Sequence, residues 1–155
     1  MPRANRFRRM DSGDRILGIE IVTEQDDDPD LSWLEQDYKE DPPAVREEYR
    51  RRDRERLAAY REGEWHMTFI RAEAEVVVNG VVQKISSGGL GGVESDSGAE
   101  YLYEVEKEQY DELADILKKM GFRVGVIPPW TEVQGRTRLK KGPLKQDWRP
   151  KGRLQ

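Results

Sequence analysis

The sequence predicts an α+β fold: a small antiparallel sheet of about four strands with two helices on one face. Three observations carry that expectation. Asn79-Gly80 stands between two alternating apolar runs, the strongest short-range hairpin signal. Residues 107–120 repeat apolar side chains at helical spacing. The elements follow one another as strand, helix, hairpin, one or two strands, helix, which is the order of an α+β unit.

The first strand is read in Arg15–Thr23, where Leu17, Ile19 and Ile21 share one face at a period of two. EQDDDPD, residues 24–30, has no apolar content and a proline, and reads as a loop. LSWLEQ, residues 31–36, is long enough for one helical turn that buries Trp33 and Leu34. Asp41-Pro-Pro then opens a helix over 43–61, because proline fits a first turn whose N–H groups lack partners anyway. Its apolar stripe of Val45, Tyr49, Leu57 and Tyr60 is thin, so it lies wet on the surface. Glu47–Arg51 and Glu48–Arg52 have i,i+4 spacing, and Gly63 is a stop.

The hairpin occupies 66–87. Counting outward from Asn79-Gly80 sets Val78 opposite Val81, Val77 opposite Val82 and Val76 opposite Gln83. Glu75 then faces Lys84 and Ala74 faces Ile85, with Ile70, Ala72, Ala74, Val76 and Val78 on the buried side. Tyr101–Val105 reads as a short strand before the helix at 107–120. In that helix Tyr110, Leu113, Ala114, Leu117 and Met120 form the apolar face, acids crowd the start, and Lys118 and Lys119 close the end. Gly121 suits a left-handed cap with Phe122 folded back on Leu117.

The 155 residues suit one domain with extensions. Hydrophobic residues make up 35% and charged residues 37%. Ordinary domains run near 45–50% and 25%, so the core cannot extend along the whole chain. Residues 1–14 form a basic extension, 15–122 an acidic α+β domain, and 123–155 a basic tail containing Pro and Gly. The net charge of −4 conceals this layout. Residues 1–10 carry +4 and residues 123–155 carry +7, which leaves −15 on residues 11–122. The tail has no sustained period and reads as extended, ordered only where it docks. No apolar run spans a bilayer, the basic first ten residues lack the apolar segment of a secretory signal, and there is no cysteine. A cytoplasmic protein without membrane contact is expected.

ISSGGLGGVESDS, residues 85–97, invites a phosphate-cradling loop. A P-loop needs a lysine after its last glycine, and the dinucleotide fingerprint needs a following helix. Here Glu94 and Asp96 follow and would repel an anion. A strand that bulges through Gly88-Gly89, resumes at Leu90–Glu94 and turns at Gly98 is the better reading. Bare backbone also admits a partner closely, so Gly88, Gly89, Leu90, Gly91, Gly92, Glu94 and Asp96 form the candidate interaction segment.

This stretch, with EYLYEVEKEQYDELADILKKMGF after it and Trp65 at a strand start before it, resembles a group of small proteins encoded by bacteriophages and other mobile elements. Their corresponding segment has the form SGGLWGIESDS. The resemblance covers about residues 63–122, and Gly91 stands where that form has tryptophan. It implies a shared fold and a mobile-element origin but no reaction.

Other constellations favour structure over chemistry. His66 is the only histidine, so zinc sites built from Cys and His cannot be assembled. Asp26, Asp27, Asp28 and Asp30 lack the glycine and distal glutamate of a calcium loop. Glu94 and Asp96 suit turn capping better than magnesium. Glu73, Glu75, Glu104 and Glu106 could supply paired carboxylates for hydrolysis only inside a pocket that splits their pKa values. The five arginines of residues 50–56 are interleaved with acids, as on a solvated mixed-charge helix. No catalytic residue, metal or cofactor is expected.

The tail differs. Trp130 and Trp148 alternate with Arg136, Arg138, Lys140, Lys141, Lys145, Arg149 and Lys151, a composition suited to single-stranded nucleic acid. Docking on the acidic body of its own or a neighbouring chain competes with that reading and is slightly favoured. The sequence therefore points to a non-catalytic interaction protein, phage or mobile-element encoded, that binds a host protein or itself. The alternative is a nucleic-acid-binding accessory protein that uses the tail.

Overall fold

The computed structural model describes residues 13–140. The chain runs through β1 (Arg15–Asp26), a 3-10 turn (Ser32–Leu34), α1 (Pro43–Arg61), β2 (Met67–Val78), β3 (Val81–Ser86) and β4 (Leu90–Glu94). It continues through α2 (Ala99–Lys119), a second 3-10 turn (Val124–Val126), α3 (Trp130–Val133) and β5 (Thr137–Lys140). The five strands form one sheet in the order β3-β2-β1-β5, with β4 also paired to β2. The fold is α+β with a central hairpin.

The hairpin has the register that its turn dictates. Asn79 and Gly80 both take positive φ, 53° and 78°, as a two-residue type I′ turn requires. The five predicted cross-strand pairs, from Val78↔Val81 to Ala74↔Ile85, are all present. Ile70, Ala72, Ala74, Val76 and Val78 are buried beneath α2 with Ile19, Ile21 and Val93. The two alanines leave room for the helix to approach, and Val105, Tyr110, Leu113, Ala114 and Leu117 fill the space above them. α2 ends as predicted: Gly121 has φ 111°, its N–H reaches Lys118 O, and Phe122 N–H reaches Leu117 O. That pair of bonds is a Schellman cap.

Several expectations are corrected. Tyr101–Val105 is the first part of α2, not a strand. Leu102 and Val105 sit at i,i+3 and extend the stripe of the following turns, while Tyr101 and Tyr103 face solvent. In β1 the register slips between Ile16 and Gly18, so Ile16 packs on the core and Leu17 turns out to 49% exposure. The same strand continues to Asp26, through residues expected in a loop. Of LSWLEQ only Leu34 is buried, because a single turn aims one side chain inward; Trp33 is exposed.

α1 buries no residue completely. Leu57 and Tyr60 lean on a small second cluster of Leu34, Trp65 and Met67 at the margin of the sheet. Glu48–Arg52 forms as expected, but Glu47 reaches Arg54 and leaves Arg51 to Glu48 and Glu55.

The segment expected as an extended tail is packed as far as Lys140. β5 pairs parallel to β1, with Ile21↔Thr137 through Glu24↔Lys140. Ile127 and Val133 join the main core.

Candidate interaction surface

The glycine segment is a bent strand. β3 and β4 lie one after the other along β2, and the register advances between Ser86 and Leu90 and again between Leu90 and Val93. The bend is fastened to α2. Gly89 N–H donates to Gln109 Oε1 at 2.8 Å, and Gly88 N–H donates to Glu112 Oε2. Ser87 Oγ donates to the same Gln109 oxygen at 2.6 Å and accepts from Ala72 N–H at 2.9 Å. A carboxylate and an amide oxygen thus occupy the backbone donors that a phosphate would need. Gly89 is required on two counts: its φ is +85°, and an added Cβ would fall 2.1 Å from Phe69 Cζ. Leu90, Gly91 and Gly92 remain exposed.

Glu94 and Asp96 are held from within. Arg56 of α1 lies 3.8 Å above the Trp65 ring, bonds both Asp96 oxygens at 2.7 Å and also bonds Glu94. That bidentate pair depresses the Asp96 pKa. Beside it His66 is half-buried, and burial lowers its pKa below the ordinary value, with the Asp96 charge opposing. The other arginines of residues 50–56 also have internal partners: Arg50 holds Asp37 O, and Arg51, Arg52 and Arg54 hold glutamates of α1.

Glu73 and Glu75 lie on the sheet face opposite α2, since Ala72 and Ala74 point into the core. Glu104 and Glu106 are on α2, so the four carboxylates do not converge. An open hollow of about 470 Å³ does lie over Glu20, Glu73 and Glu75, with Gly18 in its floor and Lys84, Arg136 and Arg138 on its walls. Two of its three carboxylates, Glu20 and Glu73, are committed. Glu73 meets Arg138 at 3.1 Å and Arg71 and Lys84 at 3.7 Å, and Glu20 takes Arg138 Nε between its two oxygens. A general acid or nucleophile needs an oxygen turned to substrate, and those of Glu20 and Glu73 are turned to cations. Among the described residues no group of three or more His, Cys, Asp or Glu could hold a metal.

The described basic-tail residues are largely bound too. Trp130 packs between Tyr103 and Tyr110 at ring distances of 5.6 and 5.5 Å and donates to Tyr103 Oη at 2.9 Å. Arg138 and Lys140 meet Glu20, Glu73 and Glu24. Arg136 projects at the hollow. Lys141, Lys145, Trp148, Arg149 and Lys151 lie outside the described residues.

What sequence reasoning missed is the outer edge of β3. In a two-residue hairpin Val78 and Val81 form a hydrogen-bonded pair, so Val82, Lys84 and Ser86 turn their N–H and C=O away from β2. No strand among the described residues covers that edge. Val81 and Val82 are 56% and 57% exposed. The signal present in the sequence was the apolar pair Val81-Val82 beside the turn.

No helix among the described residues is long and apolar enough to cross a membrane. Comparison with protein-family models, curated proteins and solved structures finds no match to this chain.

Proposed function

We propose that this is a non-catalytic interaction protein, carried by a phage or mobile element, that binds another protein through the β3–β4 edge. The open hydrogen-bonding groups of Val82, Lys84 and Ser86 beside two exposed valines carry this reading. An extended segment can add to such an edge, taking affinity from the main chain and specificity from alternate side chains. The glycine segment continues the same edge, and its bond to Gln109 and its contact with Phe69 keep it in shape for a partner. The mobile-element origin rests on the SGGLWGIESDS-like segment.

The charge layout supports contact over bond-making, because Glu20 and Glu73 in the hollow are already paired with guanidinium and ammonium groups. It also supports a protein partner over nucleic acid, because Trp130, Arg138 and Lys140 are engaged within the chain. Capture from bacterial lysate with the wild type and with Val82→Lys tests the reading. The wild type should enrich a specific partner that Val82→Lys loses. A partner retained equally by both, or no specific partner, contradicts it.

A further inference from the structure

We infer that the β3 edge also takes a second copy of this chain, with β3 pairing antiparallel to β3 and Gln83 on the two-fold axis. The inference rests on reading that edge as an interaction surface and names one occupant for it.

The outward groups determine which registers are open. Along β3 only Val82, Lys84 and Ser86 turn their N–H and C=O away from β2, so residues of that set must oppose one another across the axis. Centring on Lys84 would set two ammonium groups face to face, which is destabilising. Centring on Val82 would bring Gly80 at the hairpin tip opposite Lys84 and shorten the match. Centring on Gln83 sets Val82 opposite Lys84 twice, about four backbone hydrogen bonds in two closed pairs. Val81 then opposes Ile85 at both ends, and the two Gln83 amides meet on the axis. Each exposed valine gains a partner, and no like charges are opposed.

The other sheet edge is different. β5 presents Arg138 and Lys140 within four residues, and charge is a common protection against edge pairing. β3 has Lys84 alone among six residues, and the Gln83 register moves the two lysines apart. A closed two-fold contact is the commonest form of association for identical chains.

The absence of cysteine gives a direct test. Gln83 would form a non-hydrogen-bonded pair with its symmetry mate, at a Cα separation of about 4.5 Å. That is within disulfide reach. Lys84 and its mate would be separated by two residues along the strand, about 8 Å, beyond that reach. Under mild oxidation the full chain carrying Gln83→Cys should form a disulfide dimer at least about tenfold faster than one carrying Lys84→Cys. By sedimentation equilibrium the wild type should approach twice 18.1 kDa as concentration rises. The Val81→Lys, Val82→Lys double variant, altered only at exposed positions, should stay at 18.1 kDa.

A wild type that stays monomeric at millimolar concentration overturns the pairing, as does equal cross-linking at 83 and 84. If that monomer still captures a lysate partner that Val82→Lys loses, the interaction reading stands without self-pairing. If Gln83→Cys cross-links while lysate capture ignores Val82→Lys, self-pairing stands and the reading of a foreign partner fails.

Discussion

Arg138 of β5 reaches past β1 to donate to Glu73 of β2 at 3.1 Å, while its Nε lies 3.0–3.1 Å from both oxygens of Glu20. One guanidinium thus ties three strands. The pairing explains how a four-residue parallel strand stays on an edge: it brings positive charge to a face that already holds Glu20, Glu24 and Glu73. Coulomb attraction at such partly exposed sites is modest and screened by salt.

Arg138→Met should therefore cost about 1 kcal/mol or less in urea unfolding at low ionic strength. The loss should shrink at high salt. The Ile21 amide, which donates to Arg136 O at 3.0 Å, should exchange faster in the variant. An unchanged Ile21 amide would show that backbone pairing alone holds β5.

Gly89→Ala should be among the most damaging single substitutions, costing at least about 2 kcal/mol from positive-φ strain and overpacking. The added methyl has to displace the Phe69 ring. Phe69→Ala in the same chain should recover the steric part and leave the backbone strain. Gly92→Ala gives the contrast: φ is +69° but nothing lies within 4 Å, so only about 1 kcal/mol of strain is expected. Urea midpoints of the three variants check this, and equal costs at 89 and 92 would contradict the Phe69 contact.

Acidification should weaken the margin of the sheet in two stages. Burial holds His66 below its ordinary pKa of about 6.5, so its folded form favours the neutral ring. That contribution is whole above 6.5 and is lost as pH falls through the lowered folded value. Asp96, depressed by Arg56, repeats the pattern at lower pH. Its contribution is whole above the ordinary aspartate value near 4 and is lost as pH falls through the folded value. Glu106 acts oppositely: burial raises its pKa, so the protein gains stability as this group protonates, and Glu106→Gln should stabilise at neutral pH. His66→Gln should flatten the first stage in a plot of unfolding free energy against pH. A slope unchanged in that variant would assign the stage to another group.

Trp130→Ala should cost about 2–3 kcal/mol, from two aromatic contacts and the bond to Tyr103. It should also loosen the segment that leads into β5. If Trp130 instead served single-stranded nucleic acid, the substitution would abolish oligonucleotide binding while leaving stability nearly intact. Thermal unfolding and a fluorescence titration at two salt concentrations separate these outcomes.

Local chemistry made much of this molecule legible in the sequence. The Asn79-Gly80 turn determines the hairpin register, Gly121 determines the end of α2, and the glycine run after Ile85 reads as a bent strand. The misreadings arise where short-range pattern and tertiary context disagree. Tyr101-Leu102-Tyr103-Glu104-Val105 alternates like a strand, yet Leu102 and Val105 also fit the stripe of α2, and packing against the sheet prevails. Leu17 alternates correctly with Ile19, but a bulge that no residue type announces turns it outward. Thr137–Lys140 has no pattern at all. Its strand exists because β1 has a free edge and because Glu20 and Glu73, 118 and 65 residues away, attract Arg138. The candidate site was half legible: the glycine segment was read, while the adjacent β3 edge emerges only once every other strand has its neighbours.

The most direct measurement is amide exchange at Val82, Lys84 and Ser86, followed by NMR at rising protein concentration and with the captured partner. These three N–H groups should exchange quickly in the dilute chain and slow strongly on association, while their neighbours Gln83 and Ile85 stay protected throughout. If association slows amides elsewhere and leaves Val82, Lys84 and Ser86 exchanging as before, the β3 edge is not where this protein makes its contacts.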